Sequence, residues 1–194
     1  VPILQPKRAT FPETWDNKRA IEFVDVDGDG DRDVVIGGNP NSILDDARNR
    51  LYVNDGYGHF VEDPNALPPD SDSNTGIVSG DIDADGDMDL VMSNFFGVNR
   101  VYENVGAGQF RLARPFQPNH IQNTTSVSMG DVDGDGDLDV VFGTNSGSTP
   151  HRVYLNDGRG TFTELVGAFP AVSIPGGLHD LGDVDGDGDL DAIF

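Results

Sequence analysis

Residues 131–142 read Asp-Val-Asp-Gly-Asp-Gly-Asp-Leu-Asp-Val-Val-Phe, an alternating acidic string that runs straight into an apolar, β-rich segment. The pattern D-x-D-x-D-G-D-x-D occurs four times, beginning at Asp25, Asp81, Asp131 and Asp183, at steps of 56, 50 and 52 residues. A feature that returns at such a period marks a repeat array, and other features keep its phase. Each of the first three strings is followed by an apolar run and a loop, then by Arg50-Leu51-Tyr52-Val53-Asn54, Arg100-Val101-Tyr102-Glu103-Asn104 or Arg152-Val153-Tyr154-Leu155-Asn156. A glycine-rich turn comes next (Asp55 to Gly58, Val105 to Gly108, Asp157 to Gly160), and a further strand opens near Phe60, Phe110 or Phe162. This is hairpin chemistry, because glycine supplies the positive φ of a tight turn.

With the apolar strands that precede each acidic string (Ile21 to Val24, Gly76 to Gly80, Ser126 to Gly130, Leu178 to Gly182), every unit holds four short strands. Four strands in about 50 residues is the period of a β-propeller blade. A two-sheet sandwich fits the strand lengths but not the return of the motif, and no segment has helical periodicity. The expected fold is all-β, with blades of four antiparallel strands. The in-phase residues Tyr52, Tyr102 and Tyr154, with Phe60, Phe110 and Phe162, are expected in the core.

A bulky apolar residue precedes each string at Phe11, Leu67, Phe116 and Phe169, where it is expected to close the previous blade. On that phase, residues 1–19 read as the tail of a preceding blade and a linker. Blades are expected over 20–69, 70–118 and 119–170, with the first half of another over 171–194. Three complete blades and two partial ones do not make a closed ring. The expectation is part of a larger propeller, whose remainder is one partner of this chain; pairing of two chains to close a ring of about seven blades is the alternative.

The acidic strings point to a metal. Calcium takes about six to eight hard oxygen ligands, and a compact loop provides them through carboxylates at alternate positions, a backbone carbonyl and a closing bidentate carboxylate. In the first loop Asp25, Asp27 and Asp29 are expected to offer side-chain oxygens, Gly30 the turn, Asp31 its carbonyl and Asp33 the closing carboxylate. The corresponding sets are Asp81, Asp83, Asp85, Asp87 and Asp89; Asp131, Asp133, Asp135, Asp137 and Asp139; and Asp183, Asp185, Asp187, Asp189 and Asp191. Up to four Ca²⁺ are expected. An EF-hand needs flanking helices and a Glu at loop position 12, where this chain has Ile36, Met92, Phe142 and Phe194. Magnesium prefers fewer carboxylates and keeps its waters, and zinc lacks its His and Cys ligands.

The composition excludes several partners. The 194 residues carry 34 Asp and Glu against 12 Lys and Arg, a formal charge of -22, which repels nucleic acid and anionic membranes. Apolar runs are too short for a membrane-spanning helix, and the absence of Cys excludes disulfides and thiolate sites. The four histidines (His59, His120, His151, His179) share no place in the repeat, and no nucleophile-and-base motif is present, so no catalytic residue is expected. Loops of this kind work in the calcium-rich space outside cells, so the expected location is secreted or cell-surface.

Asp-Val-Asp-Gly-Asp-Gly-Asp-Leu-Asp (131–139), Val140-Val141-Phe142-Gly143 and Arg152-Val153-Tyr154-Leu155-Asn156-Asp157-Gly158-Arg159-Gly160-Thr161-Phe162 together resemble FG-GAP/VCBS-type repeats. Such repeats build integrin α-subunit propellers, some fungal lectins and many secreted bacterial proteins. The resemblance implies a seven-bladed ring of which this chain is about half, a calcium loop between the first and second strands of each blade, and a recognition module for a glycan or an extracellular protein. A non-catalytic or accessory propeller of a secreted carbohydrate-active enzyme, such as a polysaccharide lyase, is the alternative. Trp15 is a candidate for stacking on a sugar or for packing between blades. The chain departs from the pattern at Ala84, where the other loops have Gly28, Gly134 and Gly186, and at Val105 in place of the turn Asp.

Overall fold

The computed structural model describes residues 20–39, 48–70, 72–113, 116, 123–145, 150–169 and 180–193. Phe11, Trp15, His120 and His179 lie outside the described residues. The described residues form β-strands and no helix, so none of their segments is a helix long and apolar enough to cross a membrane.

The first sheet consists of β1 (Ile21–Val24), β2 (Asp33–Ile36), β3 (Arg50–Asn54) and β4 (Phe60–Asp63), in sequential antiparallel order. The second consists of β5 (Asn74–Gly80), β6 (Asp89–Asn94), β7 (Arg100–Asn104) and β8 (Phe110–Leu112), and the third of β9 (Thr124–Gly130), β10 (Asp139–Thr144), β11 (Arg152–Asn156) and β12 (Phe162–Glu164), both in the same order. β13 (Asp180–Gly182) pairs with β14 (Asp191–Ile193) as the start of a fourth unit. This is the blade architecture expected from the repeat. The first strands of successive sheets are neighbours, β1 beside β5, β5 beside β9 and β9 beside β13. Each acidic string is the turn between the first and second strands of its sheet.

The second strand of each complete sheet is buried on both faces: β2, β6 and β10 are buried throughout. That explains why they read as continuous apolar runs rather than alternating ones. One core lies between the first two sheets, where Val24, Val35 and Leu51 meet Leu90, Met92, Tyr102 and Phe110. A second lies between the next two, where Val91 and Val101 meet Val140, Phe142, Tyr154 and Phe162. All three in-phase tyrosines are buried.

Two of the bulky residues before the acidic strings do more than close the blade behind them. Phe116 stands 4.9 to 5.0 Å, ring centre to ring centre, from Phe142, Tyr154 and Phe162 of the following sheet. Leu67 lies in the core between the first two sheets. Phe116 and Leu67 are thus wedges between sheets, whereas Phe169 lies against His151 of the sheet behind it, ring centres 5.8 Å apart.

One polar pairing alternates with sequence. Arg50 and Arg152 each pair across the sheet edge with the fourth-strand Glu62 and Glu164. In the second sheet the residue at that register is Leu112, and Arg100 pairs instead with Asp70 at 2.7 Å and with Asp72. Asp70 also accepts the Tyr102 hydroxyl, while burial pushes the Asp72 carboxyl above its usual range. His151 takes the place of Asn49 and Asn99: Asn49 Oδ1 accepts from Gly38 N, Asn99 Oδ1 from Asn94 N, and His151 Nδ1 from Thr144 N at 3.1 Å. Burial holds the His151 pKa below normal, so it is a structural acceptor.

Candidate metal centres

Each acidic loop is shaped by its own carboxylates. Asp25 Oδ1 and Oδ2 accept from Gly28 N and Gly30 N, both at 2.9 Å. Asp81 receives Asp85 N and Gly86 N; Asp131 receives Gly134 N, Asp135 N and Gly136 N; Asp183 receives Gly186 N and Gly188 N. The fifth position holds the seventh in the same way, as Asp29 with Asp31 N and Asp135 with Asp137 N. Loop position 4 has φ +76 at Gly28 and +79 at Gly134, and Ala84 adopts the same left-handed conformation at φ 62. A side chain there costs about 1–2 kcal/mol, which the second loop tolerates without losing a carboxylate.

The closing carboxylates have a role the sequence did not disclose. Asp33 accepts Val26 N at 3.0 Å with one oxygen and Asn54 N at 2.8 Å with the other. Asp89 takes Ile82 N and Asn104 N, Asp139 takes Val132 N and Asn156 N, and Asp191 takes Val184 N. Each is a latch that fastens its loop to its own sheet. Burial raises the pKa of Asp33 and Asp139 and lifts that of Asp89 to about 6, against the backbone donors that pull it down.

The structure brings the carboxylates together in four groups. In the first two loops the members are Asp25, Asp27 and Asp29, and Asp81, Asp83 and Asp85; in the last two they are Asp131, Asp133 and Asp139, and Asp183, Asp185 and Asp191. Within each group one oxygen per residue lies within 4.8 Å of the others. Two oxygens sharing one Ca²⁺ at about 2.3–2.6 Å are at most about 5 Å apart, so the separation fits a calcium ion. The donor set is all hard oxygen, and Asp83 Oδ1 is buried with no hydrogen-bond partner. The residues present therefore fit the metal. Asp33 and Asp89 are not in the groups, nor are Asp135 and Asp187, and Asp31, Asp87, Asp137 and Asp189 were expected to act through their carbonyls only. A carboxylate oxygen that accepts one N–H keeps a second lone pair, so the latches retain ligand capacity.

Asn54, Asn104 and Asn156 end the third strand of each sheet, and two of them tie consecutive loops together. Asn104, fully buried, donates from Nδ2 to Val26 O of the first loop at 2.8 Å and to Met88 O of the second at 3.2 Å. Asn156 donates to Ile82 O at 2.7 Å in the same manner. Among the described residues Asn54 donates from Nδ2 to Arg32 O, at 3.1 Å, in its own repeat. The in-phase asparagine was visible in the sequence as a strand end; its reach to the neighbouring loop was not.

Among the described residues, two clefts border the places where sheets meet. One, of about 300 Å³, is bordered by the second loop (Ile82, Asp83, Asp89), the second sheet (Val101, Glu103, Ala113) and the turn of the third (Arg159, Gly160, Thr161). The other, of about 310 Å³, lies beside Arg48, Glu62, Pro64, Pro68 and Phe110. A family model described as an FG-GAP-like repeat matches residues 25–92, 81–142 and 136–194. No curated protein matches the chain.

Proposed function

The chain belongs to the FG-GAP-like repeat family, and from that premise we propose that it is an extracellular recognition module whose blades are held by calcium and whose ligand is a glycan or a protein. The observation that carries this reading is the in-phase return of the carboxylate groups at Asp25, Asp81, Asp131 and Asp183. A purely solvated acidic loop has no reason to gather oxygens this closely, because like charges repel more strongly the nearer they sit. In each loop the side chains at positions 1, 3 and 5, the carbonyl at position 7 and the carboxylate at position 9 would hold the ion. Bound calcium supplies positive charge that relieves this repulsion.

The protein's own residues do the rest. The aspartate latches fix each loop to its sheet, and Asn104 and Asn156 fix it to the next. Rigid sheets of this kind present loops and inter-blade clefts as pre-formed surfaces, which is what a binding module requires. Most of the carboxylates, 20 of the 34 Asp and Glu, belong to the acidic loops, so a recognition role is favoured over a catalytic one.

The reading is tested by binding to an immobilised panel of glycans and extracellular matrix proteins in millimolar calcium and again after chelation. Retention of at least one ligand class in calcium, lost on chelation, is the expected result. Equal binding in both conditions contradicts the calcium dependence, and no retention of any ligand by the calcium-loaded chain contradicts the module.

A further inference from the structure

The acidic loops of the first three sheets are joined by one line of hydrogen bonds. Asp33 Oδ2 accepts Val26 N at 3.0 Å, and Val26 O accepts Asn104 Nδ2 at 2.8 Å. The Asn104 backbone N–H donates to Asp89 Oδ1 at 2.8 Å, while Asp89 Oδ2 accepts Ile82 N at 3.0 Å. Ile82 O then accepts Asn156 Nδ2 at 2.7 Å, and Asn156 N donates to Asp139 Oδ1 at 2.8 Å. The line ends where Asp139 Oδ2 accepts Val132 N at 2.9 Å. Both asparagines, Val26, Ile82 and the three aspartates are buried, so water has poor access to replace a missing member.

The line runs through the residues that place the carboxylates. Val26 stands between Asp25 and Asp27, and Ile82 between Asp81 and Asp83, all four of them members of the oxygen groups. The hairpin turn of the following sheet backs the same positions: a Cβ on Gly108 would come within 2.9 Å of the Val26 side chain, and one on Gly160 within 3.8 Å of Ile82 and Asp83. Gathered carboxylates repel one another, and a bound cation removes that repulsion. Filling one loop therefore fixes its ninth-position aspartate and, through the asparagine, the second-position residue of the loop before it. A loop already held in place loses less conformational freedom when its own ion arrives, which is positive coupling with no change of structure.

The fourth loop lies off this line. Asp191 accepts Val184 N, and among the described residues no asparagine donates to Val132 O. The fourth unit is nonetheless a neighbour of the third, with β13 beside β9 and Leu190 against Gly130.

We propose that the first three acidic loops take up calcium as one positively coupled set, with Asn104 and Asn156 as the couplers, and that the fourth loop fills independently. This rests on the calcium reading of the loops and adds to it which of them act together.

The experiment is amide NMR of the chain during a calcium titration, read at Gly30, Gly86, Gly136 and Gly188. Each donates its N–H to the first aspartate of its own loop and so reports that loop. The parent is compared with D81N/D83N, D183N/D185N and N156A. In D81N/D83N the second loop keeps three of its five carboxylates, the same formal charge as five with one Ca²⁺ bound, so the field on its neighbours is matched and only the ordering is lost. D81N/D83N should raise the calcium concentration that half-fills the first and third loops at least about five-fold, with the fourth within about two-fold of the parent, a coupling in the usual allosteric range. D183N/D185N should leave the first three loops within about two-fold of the parent, on the same scale. N156A should part the third loop from the first two, which still fill together; if N156A fails to fold, the two loop variants decide. First and third loops that fill unchanged in D81N/D83N, or a third loop weakened as much by D183N/D185N, would overturn the coupling and leave the calcium reading intact. If none of the four glycines responds to calcium, the calcium reading falls and the coupling with it.

Discussion

Replacing Phe116 with alanine is expected to destabilise the chain by about 3–5 kcal/mol, because the ring is buried between two sheets and its removal leaves a cavity that the neighbouring strands cannot collapse into. The ring packs on Phe142, Tyr154 and Phe162 at once, so three tilted or edge-on aromatic contacts are lost with it. Urea unfolding in calcium measures the effect. Leu67→Ala, at the corresponding joint, should cost less, about 2–4 kcal/mol, since a smaller side chain is deleted. A loss below about 1 kcal/mol for Phe116→Ala would mean that the wedge does not hold the sheets together.

The second large effect is expected at Asn104. Its side chain satisfies Val26 O, Met88 O and Gly106 N, and it is fully buried. Alanine leaves two carbonyls and an amide without partners where water has poor access, at about 1–3 kcal/mol for each group that stays unsatisfied. Asn104→Ala should therefore cost at least about 3 kcal/mol, by the same scale. Asn54→Ala is the control from within the chain. Asn54 bonds Arg32 O, Gly56 N and Gly58 N but, among the described residues, none in another sheet, in a less buried setting. Its loss should be about 1–2 kcal/mol. Equal costs for the two variants would show that the bond across the joint contributes nothing. The same measurement bears on calcium: Asn104 touches two loops without belonging to either ligand set, so its removal should weaken calcium binding without deleting a ligand.

Much of the fold was legible because the residues that carry it act locally. An Asp at every second position with a Gly at the sixth shapes its own turn, and Asn-Asp-Gly-x-Gly shapes the hairpin after the third strand, so neither needs a partner from far away. The buried runs Val34-Val35-Ile36 and Val140-Val141-Phe142 were equally plain. The groups that resisted are those whose role depends on a neighbouring sheet. Asp33, Asp89 and Asp139 looked like closing ligands and proved also to be latches onto Asn54, Asn104 and Asn156. Phe116 looked like the end of one blade and packs onto the next. Arg100 breaks the pattern of Arg50 and Arg152 because Leu112 replaces a glutamate, a substitution whose consequence appears only once the register is known. The cleft near Ala113 is lined in part by residues that differ between repeats, such as Glu103 and Arg159, and periodicity by its nature draws the eye to what repeats.

Calcium bound in the four acidic loops is proposed to hold the blades. Isothermal titration of the chelated chain with Ca²⁺, with a thermal melt and circular dichroism recorded at both ends, tests it most directly. Heat from three or four sites and a clear rise in melting temperature are expected, with D81N/D83N losing one site while the remaining loops still fill. A chain that is folded by circular dichroism yet gives neither heat nor a shift in its melt would contradict it.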